Sequence, residues 1–85
     1  MAEDKVNPSH YKTRDGSNIE AIDIIEAYGL NFARGCVIKY ICRAGHKPEV
    51  GYSIAQKELE DLKKVVWYAQ REVNRLEKVV ENESK

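Results

Sequence analysis

Leu59, Leu62, Val66, Ala69, Val73, Leu76 and Val80 recur in alternating steps of three and four, the seam of a coiled coil or helical bundle. No glycine or proline interrupts the chain from Ser53 to Val80. Ser53-Ile54-Ala55-Gln56 has the spacing of a capping box, in which the serine oxygen accepts a backbone N–H and the glutamine side chain reaches back to another. The pattern predicts one long helix from there to about Val80. At 1.5 Å per residue its ~28 residues span ~42 Å, more than a globule of this size covers by itself, so the far end invites a second subunit. Val65, Trp67 and Val79 widen the apolar zone beyond a strict seam, which suits a bundle better than a free two-stranded coil.

Upstream, Ile19, Ile22 and Ile25 repeat at helical spacing behind Ser17-Asn18-Ile19-Glu20, another capping-box pattern, so a first helix is expected from near Asn18 to Gly29. Asn31 is placed to cap a second helix that runs to Ala44 and stops at Gly45. Gly45, Pro48 and Gly51 mark a connecting loop, and Pro8 and Gly16 among polar residues mark an extended N-terminal arm. The organisation expected is an arm over 1–16, a single helical domain over 17–80 and a polar tail over 81–85. The fold class is all-α: two short helices and one long C-terminal helix, assembled as an oligomeric helical bundle.

The second helix is amphipathic in charge as well as hydropathy. Val37, Ile41 and Ala44 gather on one side, and Gly35, Lys39 and Arg43 line the other. Lys39 and Arg43 stand one turn apart, Gly35 would leave the backbone approachable, and His46 and Lys47 follow the stop. That face reads as an anion site for a phosphate-bearing ligand, or, more plainly, as a solvated charged face.

Fourteen basic residues balance fourteen acidic ones, which argues against dedicated nucleic-acid binding or a polybasic membrane binder, since both rely on surplus positive charge. Phosphate recognition must then be local. Cys36 and Cys42 point away from each other on one helix and are expected to be reduced; no spacing suits structural zinc. No apolar run approaches the ~18 residues of a membrane helix, and no secretion signal is evident, so a cytoplasmic location is expected. Neither a P-loop nor a dinucleotide-binding glycine pattern occurs, which excludes a conventional phosphate-cradling kinase fold.

Two carboxylate pairs, Glu20 with Asp23 and Glu58 with Asp61, have the spacing that can present magnesium ligands in the manner of all-helical nucleotide pyrophosphatases. Acidic residues in a first turn also simply complement the helix dipole. Lys57 and Lys64 read as surface ion-pair partners of Asp61. Asp61 itself, between Leu59 and Leu62, lies close to where the loop returns from the cationic helix. Trp67 and Tyr68 point in different directions, so one can pack in the core while the other reaches a pocket edge and stacks a base.

Val6-Asn7-Pro8-Ser9-His10-Tyr11, Ile19-Glu20-Ala21-Ile22-Asp23, the stretch from Gly35 to Lys47 and Glu60-Asp61-Leu62-Lys63-Lys64 followed by Trp67-Tyr68 together resemble a family of small phage-encoded proteins. These are the SaV-like, nucleotide-kinase-like proteins of unknown function, with a relative in T7-like phages described as a kinase of nucleoside monophosphates. The resemblance spans about residues 6 to 70. It implies a nucleotide or nucleotide-derived phosphate ligand handled during infection, in the host cytoplasm, with magnesium if a kinase-like phosphotransfer occurs. By position it brings His10, Tyr11, Lys39, Arg43, His46, Lys47 and Asp61 to one pocket. Arg43 would grip phosphate through its planar fork, Lys39 would add a point charge, and His10 or Tyr11 would contact base or sugar. Asp61 would orient the cations or help bind magnesium. Three roles stay open: an enzyme acting on nucleotide pools, a protein that sequesters a nucleotide signal, and a helical adaptor that binds a host or phage protein.

Overall fold

Short helices joined by tight turns, and one helix far longer than either, make up the computed structural model, which describes residues 13–46 and 48–84. His10, Tyr11 and Lys47 therefore lie outside the described residues. The elements are α1 (Ala21–Tyr28), α2 (Phe32–Arg43) and α3 (Ile54–Glu83), with no strand among the described residues, so the protein is all-α. None of these helices is long and apolar enough to cross a membrane.

Local chemistry sets the boundaries. α1 begins three residues later than the Ser17 pattern predicts, with Glu20 as its cap and the Glu20 N–H donating to Asp23 Oδ2 at 2.9 Å. Ser17 is drawn instead into a turn: its N–H donates to Asp15 Oδ1 at 3.0 Å and the Asn18 N–H donates to Thr13 Oγ1. Asn18 sits at φ 58°, a left-handed conformation that a short polar side chain tolerates and that no helix can start through. Gly29, also left-handed at φ 61°, ends α1 while the Leu30 N–H returns to the Ile25 carbonyl at 2.9 Å. Asn31 caps α2 by accepting from the Arg34 N–H at 2.9 Å, and Ser53 and Gln56 close the capping box of α3 at 3.0 and 2.7 Å. α3 continues past Val80 into the polar tail and totals 30 residues.

α1 lies on α2 and α2 on α3. The α1–α2 crossing runs through Gly35: a Cβ there would already touch Ile25 Cδ1 at 3.4 Å. Gly35 is thus covered by α1 and is not an open backbone approach for a ligand, contrary to the helical-wheel expectation. Towards α2, α3 turns Lys57, Asp61 and Glu72, all buried, together with the half-buried Lys64, Val65 and Tyr68. The apolar seam faces elsewhere, with Leu59 at 55% and Val66 at 66% exposure. Cys36 is the only buried hydrophobic side chain among the described residues. Charge pairing, more than a hydrophobic core, holds the helices in register.

Candidate functional site

Asp61, one turn into the α2-facing stripe of α3, is completely buried. A carboxylate taken from water needs compensation, and the sequence supplies it from two directions. The last turn of α2 delivers Arg43, whose Nη2 donates to Asp61 Oδ1 at 2.8 Å and whose Nε donates to Oδ2 at 3.4 Å. The preceding turn of α3 delivers Lys57, with Nζ 3.7 Å from Asp61, 2.9 Å from Glu60 and 3.3 Å from Glu49 of the connecting loop. Burial works to raise the Asp61 pKa, but the Arg43 hydrogen bonds and the charges of Arg43, Lys57 and Lys64 together hold it below the ordinary carboxylate value. Hydrogen bonding to Glu60, against the opposing effect of burial, raises Lys57 above the usual lysine range.

Sequence spacing treats Lys57 as a surface ion-pair partner; the structure buries it to 5% exposure. Its ammonium is satisfied by three carboxylates, one of them on a loop that no helical periodicity reports.

Tyr40, one turn before Arg43, is the centre of a second layer. The Arg43 guanidinium lies 4.8 Å from its ring centroid, the Lys64 ammonium 5.1 Å and the Lys39 ammonium 5.4 Å, each within cation–π range. The ring also stacks on Tyr68 at 6.1 Å and 11°. Tyr68 in turn meets Phe32 and Trp67 edge-on at 6.1 and 5.0 Å. Burial, with the Cys36 thiol and Tyr40 beside it, raises the Tyr68 phenol. Of the three cations around Tyr40, Arg43 is committed to Asp61 and Lys64 lies at 3.8 Å from Glu60. Lys39 is exposed and has no ion pair among the described residues.

Of the residues the spacing and the resemblance single out, Lys39, Arg43 and Asp61 come together around Tyr40. His46 is exposed just beyond α2, its N–H closing the helix end on the Arg43 carbonyl at 2.9 Å. The carboxylate pairs are engaged in other work: Glu20 and Asp23 cap α1, Asp61 serves Arg43, and Glu58 lies where a Cβ on Gly45 would come within 3.2 Å of it. Among the described residues no three histidine, cysteine, aspartate or glutamate side chains are grouped to hold a metal ion.

A further cluster escaped the spacing altogether. Glu72, buried, accepts from Asn31 Nδ2 at 2.8 Å, Arg34 Nε at 3.0 Å and Arg75 Nε at 3.0 Å. Arg75 and Asn31 lead in pulling its pKa down to about 2, against burial. The available signal was its position eleven residues after Asp61, three turns along the same helical face. Asp61 and Glu72 therefore pin the two ends of α2 to α3.

These features define a small all-α protein in which buried carboxylates clamp a short cationic helix to a long one, leaving an aromatic ring edged by lysines at the surface. Residues 5–70 match the family described as a protein of unknown function, DUF3310, and since they make up more than half of the chain it belongs to that family. No curated protein and no solved structure matches it.

Proposed function

We propose that this protein binds a phosphate-bearing small molecule, a nucleotide or nucleotide-derived ligand, on the surface around Tyr40. The observation that supports the reading is the placement of Lys39, Arg43 and Lys64 within 5.4 Å of one tyrosine ring. Phosphate oxygens are recognised by ammonium and guanidinium donors, and a ring beside them offers a base a stacking surface. Asp61 acts on the ligand through Arg43, holding the guanidinium in one orientation while Lys39, which has no ion pair among the described residues, and Lys64, at 3.8 Å from Glu60, supply further positive charge. The resemblance to small phage-encoded nucleotide-kinase-like proteins points the same way and suggests a role in nucleotide metabolism or in sequestering a nucleotide signal.

The test is a thermal-shift titration with mono-, tri- and cyclic nucleotides and with inorganic phosphate, each with and without magnesium. A ligand that binds only the folded chain stabilises it by about 2.7 kcal/mol at a hundred times its Kd, which for a domain of this size corresponds to roughly 10 °C or more. Lys39→Ala and Lys64→Ala should each weaken the response and together abolish it while leaving the unliganded melting temperature in place. Chromatography of the responding nucleotide distinguishes binding from turnover. Absence of any response, or a response that survives the double variant, removes the site. Absence of any response favours the adaptor reading, which the exposed Val66 and Trp67 support.

A further inference from the structure

α3 carries two stripes, and the fold uses one. Lys57, Asp61, Lys64, Tyr68 and Glu72 face α2. Leu59, Leu62, Val66, Ala69, Val73, Leu76 and Val80 lie roughly 130° further around the helix, and every one of them is exposed. Beyond Glu72 every residue of α3 from Val73 to Ser84 is exposed. Isolated helices shorter than ~12–15 residues are marginal in water, so this free segment needs a neighbour. An open apolar hollow of about 450 Å³ runs along it, lined by Val73, Leu76 and Val80 and bordered by Glu77 and Glu81.

We infer that α3 pairs antiparallel along this seam with α3 of a second copy of the chain. Charge complementarity selects both the partner and the register. With Ala69 opposite the partner's Val73, Val66 meets the partner's Leu76 and Leu62 meets the partner's Val80, so six apolar layers form by symmetry. On one flank Lys63 falls beside the partner's Glu77, twice. On the other, Val65 falls beside the partner's Val79, twice. Glu72, which the two-fold brings towards its own copy, is already neutralised by Arg34 and Arg75 at 3.0 Å each. A parallel alignment gives Lys63 the partner's Glu58 but leaves Glu77 beside Glu72 with no cation opposite it, and an antiparallel shift of one heptad sets Lys63 against Gln70 and Val65 against Glu72. Opposite charges at flanking positions determine partner and orientation in paired helices, and of these alignments only the first gives both Lys63 and Glu77 an opposite charge.

Light scattering on the full chain at tens of micromolar should give at least twice the 9.8 kDa of one chain. Leu76→Asp, in the exposed distal segment of α3, should return it to 9.8 kDa while the far-ultraviolet dichroism remains helical. Lys63→Glu and Glu77→Lys each replace two flanking attractions by repulsions and should raise the dissociation constant by about tenfold. The double charge swap should bring it back to within about threefold of the wild type. A monomeric wild type, or a mass that Leu76→Asp does not change, overturns the pairing. Failure of the double swap to restore what the single reversals lose overturns the antiparallel register.

Discussion

Asp61→Asn separates a buried ion pair from an exposed one. The substitution keeps the shape of the side chain and removes its charge. One amide oxygen can still accept from Arg43 Nη2, now at 2.8 Å from Oδ1, but the NH2 group that replaces Oδ2 faces Arg43 Nε, 3.4 Å away, donor against donor. Arg43, whose side chain is 14% exposed, is left without the carboxylate it points at. Lys57 suffers less, because Glu60 at 2.9 Å and Glu49 at 3.3 Å remain. Breaking a buried pair by removing one partner costs about 3–5 kcal/mol, and the two carboxylates retained by Lys57 put this case near the lower figure, about 3 kcal/mol. In a domain of this size that lowers the melting temperature by about 12–20 °C.

Thermal melts followed by circular dichroism at one fixed protein concentration provide the measurement, since the pairing inferred for α3 would make the midpoint concentration-dependent. The companion variant is Arg43→Met with Asp61→Leu. Replacing both charges by apolar groups removes the buried cation together with its carboxylate, so the double variant should be more stable than Asp61→Asn alone. A drop below about 4 °C for Asp61→Asn, the size expected of an exposed pair, would refute the claim that this carboxylate locks α2 to α3.

Acid should unfold the protein through the same clamps. Glu72 titrates near 2 in the fold against 4.5 ordinarily, and Asp61 is also held below its ordinary 3.8. Both contribute stability that is complete above the unfolded values and is lost as pH falls through the folded ones, so the melting temperature should be level from about pH 5 upward and decline from about pH 4.5 towards 2. Glu72→Gln should flatten that decline; an unchanged acid limb would take Glu72 out of the linkage. Lys57, raised in the fold, adds stability that is present below its ordinary 10.5 and fades only in stronger alkali. At the α2 stop, Gly45→Ala places a Cβ 3.2 Å from the Glu58 carboxylate at φ 82°. A loss of about 1–2 kcal/mol is expected in urea denaturation, whereas Gly51→Ala, which meets nothing within 4 Å, should lose only the φ penalty.

Helix ends were legible wherever one residue decides them. Asn31, Ser53 and Gly29 act on backbone groups three or four residues away, and those distances are written in the sequence, while Gly45 turns the chain left-handed just past the Ala44 cap. The start of α1 was not, because Ser17 had a competing local use in the Thr13–Asn18 turn and a capping-box pattern does not say which use wins. Charge pairing was harder still. Lys57 reads as an ordinary surface lysine until Glu49 arrives from the loop, and Glu72 reads as an ordinary surface glutamate until Asn31 and Arg34 arrive from the start of α2. Each needs two segments to be placed before either burial makes sense. Tyr40 shows the same limit: spacing put Lys39 and Arg43 on one face, but Lys64 reaches the ring only once α3 lies alongside.

The same reasoning explains why the heptad pattern was read correctly as a stripe and yet did not reveal its occupant. A seam of leucine and valine states that water should be excluded from one side of the helix and leaves open who excludes it. Within the chain, α2 takes the neighbouring stripe, because that is where Asp61 and Glu72 meet Arg43, Arg34 and Asn31. Buried ion pairs fix register but add little net stability, since desolvation offsets most of their attraction. The described helices bury little apolar side-chain surface against one another, which is the condition under which a paired seam contributes most. Placing specificity on one stripe of α3 and leaving the apolar area on the next assigns the two tasks to different surfaces. Loss of the ion pairs should therefore disorder α2 before it separates paired copies, and loss of the seam should separate copies before it disturbs the Asp61–Arg43 clamp.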